Sequence, residues 1–272
     1  MSVLRTTAMS EADLVRQLEA RCKTLRRHVI AAAAGQFAHV GGALSCADLM
    51  GALFFHWLRL EGHERDHFLL SKGHAVTILH ACMVELGWIG ATELKDAGKA
   101  GSRLAGHPTA KAPGVEFATG SLGHALSVGL GIAMGDDLSR SAARTVVLLG
   151  DGELQEGTVW EAALAAPRFA SQRLLAIVDY NRFQAGGSVD QVLPLEPLAD
   201  KWRSFGWNTI EIDGHDQRAI LGALARVPAA KGPTAIIAHT VKGKGLPGIE
   251  GTERAHYTRL EDEEVACALA QL

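Results

Sequence analysis

The chain has no long apolar run, few aromatic residues and little net charge. Aromatic residues make up 6% of its 272 positions, and its longest apolar stretches are interrupted by Gly, His or charged residues. No segment therefore resembles a membrane span, which needs about 20 consecutive apolar residues. The formal net charge of −3 gives no argument for binding to nucleic acid or to an acidic membrane surface.

Cysteine is also scarce. The chain has four cysteines, and none stands in a CxxC pair: Cys22, Cys46, Cys82 and Cys267. This scatter favours reduced thiols over disulfides or a thiolate metal site. The start MSVLRTTAMSEADL lacks the apolar core of a signal peptide and turns acidic quickly, which argues against export. We therefore expect a cytoplasmic protein.

Strand patterns alternate with helical ones in the second half of the chain. TVVLL (145–149) and RLLAIVD (173–179) predict buried strands, and residues 154–170 between them predict a helix. Residues 209–216 predict a further strand and turn, and residues 234–240 the last strand, with a helix at 217–226 between them. This alternation predicts an α/β fold with a mostly parallel sheet and helices on both faces.

The first half of the chain is predicted to be mainly helical. A helix is predicted at 11–34, a second from about residue 45 to residue 58, and a loop at 69–75 that leads into a third. We expect residues 1–60 to pack on a single domain that covers residues 1–272. The Gly-rich run 126–135 imitates a dinucleotide-binding motif, but its spacing is GxGxxxG and no strand precedes it. Its glycines are expected to permit close helix packing instead.

Two turns after the predicted strands carry oxygen ligands for a hard cation. Asp151 lies in GDGELQEG (150–157) after the first strand, and Asn181 lies in VDYNRFQAGG (178–187) at the end of the second. The carboxyl ends of parallel strands are where open α/β sheets bind ligands. Mg²⁺ takes carboxylate or amide oxygens together with phosphate oxygens of a ligand. Although a bare GDG is often only a β-turn, the pair predicts a diphosphate held by Mg²⁺.

These residues resemble a known family. The GDG-to-Asn pattern resembles the thiamine diphosphate (ThDP) and Mg²⁺ motif, and GDGELQEGTVWEAA (150–163) is similar to the amino-terminal half of transketolases. SKGHA (71–75), GHPTAKAPGVEFATGSLGHALS (106–127) and HTVKGKG (239–245) are similar to transketolase segments in the same order. The resemblance covers roughly residues 25–256. It implies the diphosphate-binding domain of the ThDP-binding fold, with ThDP and Mg²⁺ as cofactors.

The resemblance also implies roles for individual residues. Residues that contact the substrate or the reacting region, or link two cofactor sites, would be His39, His74, His107, His256 and Glu156. Residues that contact ThDP would be His74, Gly120, Ser121, Leu122, Gly152, Asn181 and His256. Ligands of Mg²⁺ would be Asp151, Asn181 and the main-chain carbonyl of Phe183.

Some positions leave two interpretations open. His39 departs from the family pattern, because QFAHVGG (36–42) stands where a Gly-His-Pro-Gly run is common. His124 stands where many transketolases have Gln, and it either begins a helix or belongs to the site. Glu156 is alternatively an acid that favours a helix start, and Lys242 and Lys244 either balance phosphate charge or are solvated. The histidines expected to be ordinary surface or core residues are His56, His63, His67, His80 and His215.

Length adds an expectation about a partner. Full-length transketolases carry two further domains after this one, and 272 residues suffice for one large α/β core or two small ones. The resemblance therefore implies the N-terminal subunit of a split transketolase. A C-terminal partner subunit would supply the pyrimidine-binding and C-terminal domains in an α₂β₂ heterotetramer.

The implied activity is transfer of a two-carbon ketol unit from a ketose or ketose phosphate to an aldose, with ThDP as electron sink. The glutamate that activates the cofactor in this family lies in the pyrimidine-binding domain, so the isolated chain is expected to be inactive. Two alternatives stay open. One is a half-subunit of another ThDP enzyme, such as a 2-oxo acid dehydrogenase component or a deoxyxylulose-phosphate synthase. The other is a non-catalytic homologue.

Overall fold

A computed structural model describes residues 9–169 and 172–272 of the chain. The strands are β1 (Phe37–Ala38), β2 (His67–Leu70), β3 (Thr145–Gly150), β4 (Leu174–Tyr180), β5 (Phe183–Gln184), β6 (Gly187–Ser188), β7 (Asn208–Asp213), β8 (Thr234–His239) and β9 (Thr258–Arg259). Within the described residues, five of them form a parallel sheet in the order β2–β3–β4–β8–β7. The other strands form two short antiparallel pairs, β1 with β9 and β5 with β6.

Helices surround this sheet. They are α1 (Glu11–Ala33), α2 (Val40–Ser45), α3 (Ala47–Ala52), α4 (Val76–Glu85), α5 (Ala91–Leu94), α6 (Ala125–Ser139), α7 (Gly157–Phe169), α8 (Val189–Val192), α9 (Leu198–Ser204), α10 (Gln217–Arg226) and α11 (Asp262–Gln271). Short 3₁₀ turns occur at Gly73–Ala75, Gly152–Gln155, Val227–Ala229 and Glu253–Ala255, and a π-helical turn at Leu53–Trp57.

The two faces of the sheet bury two apolar layers. Successive side chains of a strand point to opposite faces, so Leu148 and Ile177 pack with α1 to α4, α10 and α11, while Val147 and Val178 pack with α6, α7 and α9. Every residue of β3 and β4 is buried, as expected for central strands of a parallel sheet. The predicted α/β fold with helices on both faces is confirmed.

The register of the central strands sets the position of the next residues. Gly150 at the end of β3 pairs with Asp179 of β4, and Tyr180 at the end of β4 pairs with His239 of β8. Asp151 and Asn181 are the first residues beyond these strands. Both therefore emerge at the carboxyl edge of the sheet, as the sequence predicts.

Most predicted elements appear, with differences at their ends. The helix predicted at 217–226 matches α10, and the one predicted at 11–34 is α1. The region predicted as one helix from about residue 45 to 58 is α3 followed by the π-helical turn. The helix predicted at 154–170 starts only at Gly157, and residue 170 lies outside the described residues.

One strand is absent from the sequence-based prediction. The loop predicted at 69–75 is wrong for its first two residues, because Leu69 and Leu70 belong to β2. β2 is only four residues long and gains its conformation from parallel pairing with β3, which a local pattern does not contain.

The Gly-rich run and the cysteines both lie where their sequence context predicts ordinary structural roles. The run 126–135 lies inside α6 as predicted. Gly129 is closely packed, because an added Cβ would lie 2.6 Å from Cγ2 of Val147. Gly131 and Gly135 are not, because an added Cβ there would meet nothing within 4 Å. In the described part of the chain the four cysteines are unpaired. Among the helices described there, none is long and apolar enough to cross a bilayer.

Candidate functional site

A cavity of about 330 Å³ lies at the carboxyl edge of the sheet. The predicted site residues that line it are His39, His74, His107, Gly120, Leu122, Asp151, Gly152, Asn181, Phe183 and His256. They come from the loops that follow β2, β3 and β4, from the long segment between α5 and α6, from the residue before α2, and from the segment before β9. Ser121 and Glu156 are exposed and are not part of its wall.

Asp151 and Asn181 are held by backbone N–H groups of the turns that follow β3 and β4. The Asp151 carboxylate accepts hydrogen bonds from the N–H of Gly152 (2.8 Å) and of Arg182 (2.5 Å). The Asn181 side-chain oxygen accepts from the N–H of Phe183 (3.1 Å), and its NH₂ donates to Asp179 (3.0 Å). Both side chains are thus fixed at the cavity with oxygens available to a further partner. The structure also brings Gly152 close to Gln184, since an added Cβ would lie 2.8 Å from Oε1 of that residue.

A buried lysine approaches the third predicted ligand. Lys242 Nζ donates to the carbonyl oxygen of Phe183 (2.7 Å) and lies 2.8 Å from Nδ1 of His256. Burial, with repulsion from Lys72, lowers the pKa of Lys242 to about 8. An ammonium group therefore already contacts the carbonyl that was predicted to bind Mg²⁺. Lys244, two residues later, pairs with Glu250 instead and does not line the cavity.

A second buried lysine, Lys72, forms part of the cavity wall. Lys72 forms an ion pair with Asp179, which also accepts from Ser45 Oγ (2.6 Å) and from Thr240 Oγ1. Burial alone would raise the pKa of Asp179, but the Lys72 ammonium outweighs it and holds that pKa below its usual value. Asp179 is therefore a buried anion that orients Asn181.

Burial raises the pKa of Asp151 to about 6, and the nearby Asp179 carboxylate adds to the shift. A cation would relieve both effects, because an opposite charge favours the ionised carboxylate. Among the described residues no three His, Cys, Asp or Glu side chains cluster as a metal site. A metal here would depend on the Asp151 carboxylate, amide and carbonyl oxygens, and oxygens from a ligand. That donor set fits Mg²⁺.

Four histidines cluster on one side of the cavity. The ring of His39 is centred 5.5 Å from the rings of His74 and His256 and 6.3 Å from that of His107. Burial lowers the pKa of His39, His74 and His256, and repulsion from neighbouring cations adds to it; the pKa of His256 falls to about 4. These three rings are therefore neutral near pH 7, and each has one donor and one acceptor nitrogen.

The cluster depends on a glycine. An added Cβ on Gly42 in α2 would lie 2.8 Å from Nε2 of His74. Only a residue without a side chain lets α2 approach the ring this closely.

Glu153 is not among the predicted site residues, yet its carboxylate connects the loops around the cavity. It is buried and accepts hydrogen bonds from Ser71 Oγ, from the N–H of Gly123 (2.8 Å) and from the N–H of Gly150 (3.1 Å). Burial raises its pKa, although these three donors oppose the shift. The carboxylate thus joins the SKGHA, TGSLG and GDG segments.

Sequence reasoning also missed Lys72 and Asp179. A charged residue at the end of an otherwise apolar strand, as in LLAIVD, is a signal that could have identified Asp179, because such a residue is buried only with a partner. His124 lies at the start of α6, is exposed and does not line the cavity. Glu156 immediately precedes α7.

Comparison with known proteins agrees with this geometry. Residues 19–272 match the family model described as the transketolase, thiamine diphosphate binding domain. The chain is 38% identical over 255 residues to one of the subunits of the apulose-4-phosphate transketolase of Phocaeicola vulgatus, covering 92% of this chain and 90% of that one. It is 36% identical over 241 residues to a 6-deoxy-6-sulfo-D-fructose transketolase subunit of Clostridium sp., covering 86% and 88% of the two chains.

Solved structures give the same result. The fold superimposes on the transketolase of Leishmania mexicana with a TM-score of 0.86 at 28% identity, over 97% of this chain and 41% of that one. The chain therefore spans about two fifths of the length of that solved enzyme. The parallel sheet with a ligand cavity at its carboxyl edge defines a cofactor-binding α/β protein. The chain belongs to the transketolase family and matches its thiamine diphosphate binding domain.

Proposed function

We propose that this chain is the ThDP-binding subunit of a two-component transketolase. With a C-terminal partner subunit it would transfer a two-carbon ketol unit from a ketose or ketose phosphate to an aldose. The observation that carries this proposal is the arrangement of Asp151, Asn181 and the Phe183 carbonyl around one cavity. Two relatives of similar length are named as subunits of transketolases, which supports this activity over that of another ThDP enzyme.

The residues present fit a magnesium-bound diphosphate. Asp151, Asn181 and the Phe183 carbonyl would bind Mg²⁺, with the remaining positions filled by oxygens of the diphosphate and by water. Lys242, which donates to the Phe183 carbonyl here, would balance part of the diphosphate charge. Gly152 donates its N–H to Asp151 here, and its lack of a side chain lets Gln184 pack against the turn. Leu122 and Gly120 line the same wall.

The histidines suit recognition of a sugar. His39, His74, His107 and His256 line the cavity, and the neutral rings of His39, His74 and His256 can both donate to and accept from hydroxyl groups. They could also carry protons to and from sugar oxygens during the reaction. When bound, ThDP supplies the electron sink needed to break and form the carbon–carbon bond beside the ketose carbonyl.

We propose that the partner subunit supplies the rest of the active site in an α₂β₂ assembly. The names of the relatives, which call them subunits, support a separate partner chain. Glu156 and Ser121 are exposed beside the cavity, so both are available for contacts across such an interface. A cytoplasmic location is the final part of the proposal, and the unpaired thiols of the described residues support it.

Reconstitution tests the proposal. The purified chain, its partner and the mixture would each be assayed with a ketose phosphate donor, an aldose acceptor, ThDP and Mg²⁺. Ketol transfer is expected only in the mixture, and it is expected to be lost when the chain carries Asp151→Ala. Turnover by the isolated chain would contradict the two-component assignment. Decarboxylation of a 2-oxo acid without ketol transfer by the mixture would assign the chain to another ThDP enzyme.

A further inference from the structure

A buried ion pair lies behind the loop that carries Lys242. Arg26 of α1 donates to both carboxylate oxygens of Asp48 in α3, at 3.0 and 2.6 Å. Both residues are more than nine-tenths buried. Charges removed from water in this way are stable only when their remaining donors and acceptors are satisfied. Arg26 also bonds to the loop, since its Nε donates to the carbonyl of Lys244 (3.2 Å).

His215 makes a second connection from this pair to the same loop. Its Nδ1 lies 2.7 Å from the Asp48 carboxylate, and its Nε2 accepts the backbone N–H of Val241 (2.9 Å). Since a nitrogen that accepts an N–H carries no proton, Nε2 is the unprotonated nitrogen and Nδ1–H donates to Asp48. The expectation that His215 is an ordinary residue therefore overlooks a specific hydrogen-bonded role between α3 and the loop.

These connections flank Lys242 on both sides. Val241 is the residue before it, and Lys244 is two residues after it. Gly243, between them, donates its N–H to the carbonyl of Gly41 (3.1 Å). The backbone of the loop is thus fixed on each side of the one side chain that reaches the Phe183 carbonyl and His256.

We infer that Arg26, Asp48 and His215 are positioning residues for the cofactor site. None of the three lines the cavity, yet they hold the loop 241–244 where Lys242 reaches the proposed diphosphate end of the cavity. His215 is the most important of the three, because its ring joins the buried Asp48 carboxylate to the backbone N–H of Val241 in the loop. This inference rests on the proposed function for the identity of the ligand, but the positioning itself does not.

Substitution of His215 separates the roles. Gln supplies one acceptor for Val241 and one donor for Asp48, as the neutral imidazole does, whereas Leu supplies neither. His63, an exposed histidine on the loop before β2, provides the matched control as His63→Leu. Hydrogen exchange of residues 240–245 in the full chain and calorimetric titration of the reconstituted pair with ThDP and Mg²⁺ are the two measurements.

His215→Leu is expected to speed amide exchange in this loop and to weaken ThDP affinity, each by about tenfold, the equivalent of one lost hydrogen bond. His215→Gln is expected to restore both, and His63→Leu to change neither. Unchanged amide exchange in His215→Leu would overturn the inference. So would a His215→Gln protein that folds normally but shows the same faster exchange and weaker ThDP binding as His215→Leu.

Two further outcomes remain decisive. If His215→Leu does not fold, nitrogen NMR of the wild-type ring replaces it. The Nδ1–H tautomer with a coupling from Nε2 to the Val241 amide is expected, and an Nε2–H tautomer would overturn the inference. If the wild-type pair binds no ThDP, the proposed function fails, while the exchange measurement still decides whether His215 positions the loop.

Discussion

Lys242 Nζ lies 2.8 Å from Nδ1 of His256, and this contact determines which nitrogen of the ring carries the proton. An ammonium group only donates hydrogen bonds, so Nδ1 is the acceptor and the proton of the neutral ring is on Nε2. The low pKa of His256, about 4, agrees with a ring that is neutral. Lys242 thus both contacts the Phe183 carbonyl and prepares His256 as a hydrogen-bond donor.

The first prediction concerns this lysine. Lys242→Met is expected to weaken binding of ThDP with Mg²⁺ by about tenfold or more, since it removes a buried positive charge at the proposed diphosphate position. Lys244→Met is the matched control, because Lys244 pairs with Glu250 away from the cavity. Calorimetric titration of the reconstituted pair measures both. Equal losses for the two variants would show that Lys242 has no special role.

The second prediction concerns Glu153. Glu153→Ala leaves one hydroxyl and two backbone N–H donors without their acceptor, so we expect a loss of about 3 kcal/mol in the free energy of unfolding. Glu153→Gln keeps one oxygen but presents an NH₂ group to a donor, and an intermediate loss is expected. The exposed Glu161 on α7 provides the control as Glu161→Ala. Urea unfolding measures all three, and a Glu153→Ala protein as stable as the control would refute the assignment.

Most residues of the candidate site can be predicted from the sequence. The signal that identifies them differs from residue to residue. Asp151 and Asn181 follow strands with an unambiguous apolar pattern, so their meeting at one edge of the sheet follows from the parallel topology. The four site histidines were found through resemblance alone. Glu153 and His215 were not identified, because their roles consist of contacts with segments far away in the chain. Such contacts depend on packing that no local pattern encodes.

The third prediction uses a histidine outside the cofactor cavity. His80 on α4 is buried, and in the described part of the chain neither ring nitrogen has a hydrogen-bond partner. Burial lowers its pKa from 6.5 to about 4. The unfolded state therefore binds more protons than the folded state between these values, and stability falls as the pH decreases through this window.

When the pH falls from 7 to 5, we expect protonation linked to His80 alone to lower the free energy of unfolding by about 2 kcal/mol. His80→Leu should lose correspondingly less stability over that interval than the wild type, whereas His63→Leu should lose the same amount. Urea unfolding at the two pH values measures the difference. Identical pH dependence in wild type and His80→Leu would show that the pKa of His80 is not lowered in the folded state.

The fourth prediction compares two glycines of α6. A Cβ on Gly129 would lie 2.6 Å from Cγ2 of Val147, whereas one on Gly131 would meet nothing within 4 Å. Gly129→Ala is expected to destabilise the fold by about 1–3 kcal/mol through overpacking. Gly131→Ala is expected to stabilise the isolated chain by about 0.5–1 kcal/mol, because Ala is the better helix former. Thermal unfolding of the two variants decides, and a shift of the same sign in both would contradict the packing described for α6.

The most direct test of the central claim is titration of the reconstituted pair with ThDP, with and without Mg²⁺, for wild type and Asp151→Asn. Asp151 lies between the N–H groups of Gly152 and Arg182, and Asn preserves its size while removing the charge that favours Mg²⁺. We expect tight binding by the wild type only with Mg²⁺, and a large loss of that Mg²⁺ dependence in Asp151→Asn. Equal affinity of the two proteins for ThDP in the presence of Mg²⁺ would show that Asp151 does not hold a metal-bound diphosphate.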